Sequence, residues 1–233
     1  SSPKIETSSD YIDRRAWYHL VYILDTTNAT ASERLRMYIN GARITNLSVS
    51  NYPWLNSGLT INSLNQQYLG FSYDYTSFRW YLAEVNFIDW LAILPSNFWE
   101  TINSIWTLKE YTGAYWSNGY KLNFSNANSL WTDSSWNWNN WGLNSISSGD
   151  QTIDSPSNNF TTLDPGFSMN SPSISEGNLK QVDGSSSSII YSTAWTKSMS
   201  PNSGKWYWEV LLNNVSSSDY PKIGIMDHSY VML

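Results

Sequence analysis

Cysteine is absent from this chain of 233 residues, which excludes disulfide bonds, thiolate nucleophiles and thiolate metal sites. Histidine occurs only twice, at His19 and His228, and neither has an acid and a hydroxyl nearby in the arrangement of a catalytic triad. We interpret His19 as a packed strand residue whose ring is satisfied by a backbone or hydroxyl partner. The chain therefore shows no catalytic machinery, and we expect it not to be an enzyme.

Positive charge and long apolar runs are also scarce. The chain has 13 lysines and arginines against 19 acids, a net charge of -6 and a pI near 4.8. The basic residues are scattered and form no patch that would neutralise a phosphate backbone, so nucleic acid is not an expected partner. No apolar run approaches the roughly 18 residues that a membrane-spanning helix needs, so we expect no membrane span.

Short apolar runs separated by Ser, Asn and Thr dominate the chain, and aromatic residues reach 16%. This balance is typical of an all-β antiparallel sandwich with polar loops. Strands are predicted where the apolar residues alternate or run continuously, at 17–24, 35–40, 59–61, 67–71 and 81–88. Since residues 17–24 are apolar on both faces, we expect them to be buried on both faces, in a core shared with 35–40 and 81–88.

Two local turn signals stand out. The pair Asn40-Gly41 tolerates the positive φ of both central positions of a type I′ turn, and so predicts a β-hairpin over residues 34–44. Residues 95–98 predict one short helical turn, with Ser96 as its N-cap and Glu100 near its positive end.

Composition changes after residue 117 to Asn, Ser, Asp and Gly, with apolar residues too sparse to bury much surface. We therefore predict an Asn/Ser-rich connector that continues to residue 172 and keeps isolated strands at most. Order is expected to return at residues 204–212, where Trp206, Trp208 and Val210 share one face of a predicted strand.

Three motifs within residues 14–100 resemble the C-terminal half of a concanavalin A-like, laminin-G-type sandwich of phage structural proteins. They are AWYHLV at 16–21 followed by DTT at 25–27, LRMYING at 35–41, and YLAEVNFID at 81–89 leading into LPSNF at 94–98. The resemblance implies a sandwich whose first strands precede residue 1, so we expect the chain to be a fragment.

Later segments resemble other parts of such proteins. DSPSNNF at 154–160 and SEGNL at 175–179 are similar to a connector of phage tail-associated proteins, whereas GKWYWEV at 204–210 and IGI at 223–225 resemble the opening strands of a SPRY domain. The resemblance implies a partial concanavalin A/laminin-G-like sandwich (1–112), a connector (113–172) and the N-terminal part of a SPRY-like sandwich (173–233). It also implies a place in a virion, but no ligand, because these folds host many functions.

Candidate ligand-binding residues come from two aromatic loops. Tyr73, Asp74 and Tyr75 lie between predicted strands, where aromatic rings beside a carboxylate would stack on and hydrogen-bond a sugar. The run WNWNNW at 136–141 adds Trp138 and Trp141. Such loops also pack over sandwich ends without binding a ligand, and both interpretations stay open.

Acidic residues give little support for catalysis or metal binding. Glu84, Asn86 and Asp89 invite comparison with the paired carboxylates of sandwich-fold glycoside hydrolases, but an asparagine cannot act as the second carboxylate and Asp89 falls on the other strand face. Laminin-G-type folds sometimes bind calcium, yet the spacing of the aspartates resembles no calcium loop, so no cofactor is expected. The aspartates considered are Asp10, Asp13, Asp25, Asp74 and Asp89.

The leading hypothesis is a non-enzymatic virion-surface protein of a tail or fibre that contacts host-surface glycan or neighbouring virion subunits. The alternatives are a purely architectural spacer and a polysaccharide depolymerase. Fibre proteins are commonly trimers, yet the sequence has no heptad repeat that would indicate a homo-oligomer.

Tryptophan raises a separate question. Of the 14 tryptophans, Trp17, Trp106, Trp141, Trp206 and Trp208 stand where the resembling phage proteins also tend to have Trp. Seven others stand where those proteins tend to have Gly: Trp80, Trp90, Trp99, Trp116, Trp131, Trp136 and Trp138. A bulky residue at a glycine turn costs roughly 1–2 kcal/mol and exposes an apolar ring.

We hypothesise that some of these seven codons are UGA, read as glycine in the natural host. This predicts positive φ or exposed rings at most of the seven positions. The alternative is genuine divergence that created sugar-stacking loops.

Overall fold

The computed structural model describes most of the chain between residues 3 and 158 and shorter stretches after it. The described residues are 3–11, 16–63, 66–69, 81–102, 105–144, 146–158, 162–168, 173–182, 192–195, 205, 207 and 209–213. The chain divides into two compact units, Ser1–Ser198 and Met199–Leu233.

Short strands joined by long loops form the first unit. The strands are β1 (Lys4–Thr7), β2 (Leu20–Leu24), β3 (Leu35–Ile39), β4 (Ala42–Arg43), β5 (Leu47–Asn51), β6 (Val85–Phe87), β7 (Trp99–Ile102), β8 (Ile105–Leu108), β9 (Tyr120–Leu122), β10 (Thr162–Ser168), β11 (Ser173–Ser175), β12 (Lys180–Val182) and β13 (Ser192–Trp195). Helical structure is limited to α1 (Ala31–Arg34) and two 3₁₀ turns, Pro95–Asn97 and Ser148–Asp150, in the described residues. None of these described helices could reach across a bilayer.

All strand pairs in the described residues are antiparallel, which confirms the predicted all-β class. β2, β3 and β4 form a three-stranded sheet, and the remaining strands pair as β1 with β5, β6 with β9, β7 with β8, β10 with β13 and β11 with β12. Consecutive pairing is favoured in β2-β3-β4 because short connections bring neighbouring strands together.

The predicted hairpin is confirmed, and its turn has the expected backbone conformation. Asn40 and Gly41 have φ of 50° and 80°, and Ile39 pairs with Ala42 across the turn. A Cβ added to Gly41 would lie 2.6 Å from the ring of Trp99, so both the φ and the close approach require glycine here. The Asn40 side chain also accepts a hydrogen bond from the backbone N–H of His19 at 2.9 Å, which fixes the entry to β2.

Burial in the β2-β3-β4 sheet differs between its strands. Both faces of β3 are buried, through Tyr38 on one side and Met37 and Ile39 on the other. On β2, Ile23 is buried, whereas Leu20 and Tyr22 on the other face of this strand are exposed. The prediction that residues 17–24 are buried on both faces is therefore wrong. Leu20 and Tyr22 lie opposite Ile39 and Met37 in the register, so the face that buries these two residues of β3 leaves their neighbours on β2 in contact with solvent.

A chain of aromatic contacts leads from this sheet towards β6. The ring of His19 lies 6.3 Å from that of Phe98, Phe98 lies 5.3 Å from Tyr111, and Tyr111 lies 5.3 Å from Tyr115. The Tyr115 hydroxyl then donates to the Asn86 side chain of β6 at 2.5 Å. The predicted segment 81–88 thus connects with the segment 17–24 through aromatic packing, although β6 belongs to a separate sheet.

Several predicted elements are shorter than expected or shifted. β6 spans only Val85–Phe87, because Glu84 has a φ of 50° that is incompatible with a strand. Residues 59–61 and 67–69 are not strands, while 70 and 71 lie outside the described residues. The helical turn at Pro95–Asn97 is confirmed, but its N-cap is Leu94 and not Ser96, because Pro95 occupies the first position, where its fixed φ suits a helix.

Residues after 113 show more order than their composition suggests. β9 pairs with β6 in the register Val85–Leu122, and the side chains of Leu122 and Leu130 are buried. In the second unit, the described residues 205, 207 and 209–213 belong to no strand, and Trp206 and Trp208 lie outside the described residues.

Candidate functional site

Three loops meet beside the β6-β9 sheet and form a surface that we call the loop face. Its segments are residues 88–90, 115–119 and 131–142. In the part of the chain that the structure describes, two charged side chains are buried, Asp89 and Asp133, and both lie in this surface. A buried carboxylate needs hydrogen-bond donors, so the donors to each aspartate identify the segments that it joins.

Asp133 anchors the third loop to β9. Its carboxylate accepts hydrogen bonds from the backbone N–H groups of Lys121 at 2.9 Å, Ser135 at 2.8 Å and Asn139 at 3.0 Å. Burial alone would raise the pKa of Asp133, but these donors, with Lys121 foremost, outweigh burial and hold the pKa below its ordinary value. The loop is therefore wrapped around a carboxylate that stays ionised.

Asp89 connects the end of β6 with two other segments. Its two carboxylate oxygens accept from the side-chain amides of Asn62 at 2.6 Å and Asn118 at 3.0 Å. Its backbone N–H donates to the carbonyl oxygen of Tyr115 at 3.3 Å. Asp89 thus acts as a structural junction for the first two segments of the loop face.

Asparagine amides join the second and third loops. The Asn137 amide donates to the carbonyl oxygens of Trp116 and Gly119, and the Asn139 amide donates to those of Ser117 and Gly119. These side chains replace a strand ladder as the source of backbone hydrogen bonding between the loops. The loop face is consequently one connected network.

Six tryptophans belong to this surface: Trp90, Trp116, Trp131, Trp136, Trp138 and Trp141. The rings of Trp90, Trp116, Trp136 and Trp138 are exposed. Trp141 is half-buried, with its ring 5.1 Å from that of Tyr120 in an edge-on contact, and its backbone N–H donates to the carbonyl of Trp131. Burial raises the pKa of Tyr120 to about 12, so its hydroxyl stays protonated at neutral pH.

A cavity of about 230 Å³ reaches the third loop at Trp131. Its lining includes Asn128, Leu130, Trp131, Leu143 and Ile146. It is smaller than the roughly 300–1,000 Å³ of sites for drug-sized ligands. It would therefore accept a single sugar ring or one side chain of a partner.

The acidic side chains compared with glycosidase carboxylates are all engaged in structural contacts. Glu84 lies 3.6 Å from the Lys121 ammonium, which also contacts Glu110 at 2.8 Å. Asn86 donates its amide to the carbonyl of Glu84 at 3.0 Å. Asp89 is bound by two side-chain amides. Glu84, Asn86 and Asp89 therefore each have a structural role in the fold.

Metal binding and histidine chemistry have little support in the described ranges. No group of three or more His, Asp or Glu side chains there could hold a metal ion. The ring of His19 lies 5.7 Å from that of Trp106, and its Nδ1 atom is buried without the hydrogen-bond partner that we expected. Burial lowers the pKa of His19, so the ring is neutral at physiological pH. Asp13, Asp74 and His228 lie outside the described residues.

The predicted ligand-binding residues have different outcomes. Trp138 and Trp141 both lie in the loop face, whereas Tyr73, Asp74 and Tyr75 are outside the described residues. Sequence reasoning missed the anchoring roles of Asp89 and Asp133. A signal was present in the alternation of Asp133, Ser135, Asn137 and Asn139, because Asp, Ser and Asn are residue types that bind backbone groups in turns.

Comparison with known proteins finds no matching protein family, no matching curated protein and no matching solved structure.

Proposed function

We propose that this chain is a non-enzymatic binding module of a virion surface, in a tail or fibre, and that its loop face contacts host-surface glycan. We also propose a concanavalin A-like sandwich as its first module. The observation that carries the functional proposal is the pair of buried aspartates, Asp89 and Asp133, which hold the loops of the face in place.

A fixed loop surface favours binding because less conformational entropy is lost when a ligand arrives. Loops on a β scaffold are also the usual location of recognition residues. In this chain the third loop is tied to β9 through Asp133 and to the second loop through Asn137 and Asn139. The surface is thus organised before binding.

The chemistry of the surface suits a neutral polar ligand such as a sugar. Its segments are rich in Asn and Ser, whose amides and hydroxyls exchange hydrogen bonds with sugar hydroxyls. Trp141 is held edge-on against Tyr120 and offers an aromatic ring at a fixed position. The cavity that Trp131 of the same loop lines has room for one sugar ring.

The depolymerase alternative has less support. General acid and nucleophile must both be available to substrate, whereas Asp89 and Asp133 are buried and bound by amide donors. Glu84 and Glu110 are drawn together by Lys121. The acids of this region thus stabilise the loops.

The test is a glycan array probed with the chain and with Trp141→Ala, Trp141→Phe and Trp54→Ala. Trp54 is a matched control, since its ring is 83% exposed and lies outside the loop face. We expect binding to one glycan class, at least about tenfold weaker in Trp141→Ala (~1.4 kcal/mol) and kept in Trp141→Phe and Trp54→Ala.

Circular dichroism of each variant verifies that the fold is retained. Three results would overturn the proposal. They are capture of purified virion subunits without any glycan binding, hydrolysis of a bound polysaccharide, and equal binding by Trp141→Ala and the unaltered chain.

A further inference from the structure

Trp90, Trp116, Trp136 and Trp138 combine two features that tryptophan rarely shows together. Their φ angles are 63°, 60°, 71° and 63°, all in the left-handed region. Their rings are 85%, 53%, 84% and 78% exposed. We infer that these four positions carry glycine in the natural protein.

The left-handed conformation is unfavourable for an L-residue because its Cβ approaches the following carbonyl oxygen. Asparagine tolerates it better, since its short polar side chain bonds to nearby backbone, and Asn40, Asn56, Asn62 and Asn178 are the asparagines with positive φ in the described chain. An indole ring offers no such compensation. Glycine has no Cβ and adopts this conformation without strain.

Burial does not offset the strain at these four positions. A buried tryptophan gains free energy by removing its large ring from water, but these rings remain mostly in solvent. By contrast, Trp99, Trp106 and Trp141 contact other aromatic rings, at 6.4 Å between Trp99 and Trp106 and 5.1 Å between Trp141 and Tyr120. The exposed rings thus contribute little that would select tryptophan.

The surrounding network, rather than the ring, sets the backbone conformation at Trp116. Its carbonyl oxygen accepts from the backbone N–H of Gly119 at 3.1 Å and from the Asn137 side chain. In the third loop, Trp136 and Trp138 lie between Ser135, Asn137 and Asn139, whose backbone or side-chain groups are all hydrogen-bonded. A residue without a side chain satisfies the same bonds.

The structure separates these four positions from the other tryptophans. Trp99 lies in β7, packs against Gly41 and is not in the left-handed region. Trp131 lines the cavity and is not in the left-handed region. Of the six described positions among the seven suspected ones, four therefore have both expected features, and Trp80 lies outside the described residues.

Glycine at these positions changes the chemistry of the loop face. The exposed apolar rings disappear, and residues 133–140 become a turn-rich polar loop of Asp, Ser, Asn and Gly. Trp138 is then not a ligand-binding residue, while Trp131 and Trp141 remain as tryptophans of the third loop. The simplest genetic cause is a UGA codon that the natural host decodes as glycine.

The decisive experiment reads the four codons and the peptide masses of the protein from its natural source. We expect UGA at positions 90, 116, 136 and 138 together with the peptide masses of glycine. Codon 141 supplies the internal control, with UGG and a tryptophan mass. A UGG codon or a tryptophan mass at the four positions overturns the inference, whatever the stability of any variant.

A second experiment tests the physical argument on the recombinant chain. At each of the four positions, urea unfolding compares Trp→Gly with Trp→Ala, and we expect the glycine variant to have the higher midpoint. Trp54 is the matched control, because its ring is exposed but its φ is not left-handed. There, Trp54→Ala should have the higher midpoint. Higher midpoints for alanine at the four positions would contradict the argument.

The inference stands apart from the proposed function. If the natural protein carries glycine at the four positions and the fourfold glycine variant keeps the glycan binding of the loop face, both hold. If the four positions prove to be tryptophan while Trp141→Ala still abolishes binding, only the inference fails.

Discussion

The carboxylate of Asp133 accepts a hydrogen bond from the backbone N–H of Lys121, at the centre of β9. The ammonium group of Lys121 in turn contacts Glu84 and Glu110. One residue of a three-residue strand therefore connects the third loop with the segment before β6 and with the segment after β8. This is why a strand pair as short as β6-β9 can support long ordered loops.

Replacing Asp133 with asparagine should weaken the loop face strongly. The carboxylate accepts three backbone N–H bonds, whereas an asparagine amide has only one acceptor oxygen and turns a donor towards the remaining N–H groups. We expect Asp133→Asn to lower the free energy of unfolding by about 2 kcal/mol. Urea denaturation at pH 7 measures this difference.

The pH dependence of that difference provides the control. The folded-state pKa of Asp133 is lowered, so its stabilisation is present above the unfolded pKa of about 3.9 and is lost as the pH falls through the folded value. The difference in the free energy of unfolding between the unaltered chain and Asp133→Asn should thus become smaller in acid. Asp10→Asn, at an exposed aspartate, should leave stability unchanged, and an equal loss in both variants would contradict the assignment.

His19 should make the fold less stable in mild acid. Burial lowers its folded-state pKa below the unfolded value of about 6.5, so below that pH the unfolded chain takes up a proton that the folded chain resists. Stability should therefore fall as the pH drops from 7 to 5, and His19→Phe, which keeps a ring, should reduce that fall. An identical pH profile for the variant would show that His19 is not responsible.

Gly119 should tolerate no side chain. A Cβ at this position would lie 1.8 Å from the Tyr115 carbonyl oxygen and 2.9 Å from that of Phe87. We expect Gly119→Ala to destabilise the protein by about 3 kcal/mol or more, since backbone must move. Gly58→Ala is the matched control, because nothing lies within 4 Å of its added Cβ, and thermal unfolding should separate the two clearly. Similar melting temperatures would rule out the close approach.

Local signals explain which parts of the fold could be predicted. The Asn40-Gly41 hairpin follows from the φ preferences of two adjacent residues, and β2 and β3 follow from continuous apolar runs. The extent of β6 could not be predicted, because the apolar run 81–88 does not reveal the left-handed conformation of Glu84. Burial on both faces of β2 was overestimated because sequence gives no information about what covers the second face.

The order of the loop face could not be predicted from composition. A segment this rich in Asn, Ser and Asp is as typical of a flexible connector as of an ordered loop. The two differ in where the hydrogen-bond partners of these side chains lie. Asn137 and Asn139 bond to carbonyl groups 18 to 22 positions earlier in the chain, and Asp133 to an N–H 12 positions earlier. Such contacts depend on the tertiary fold. For Trp138 and Trp141, the sequence offers aromatic character alone as a sign of ligand binding.

The loop face is held in one conformation before any ligand binds, and amide hydrogen exchange measures this directly. The amides to follow are those of Lys121, Ser135 and Asn139, the three backbone donors to Asp133. We predict that all three exchange far more slowly than exposed amides in the unliganded protein, and that Asp133→Asn accelerates all three together. Exchange of these amides in the unaltered chain at the rate of an unstructured peptide would contradict the claim.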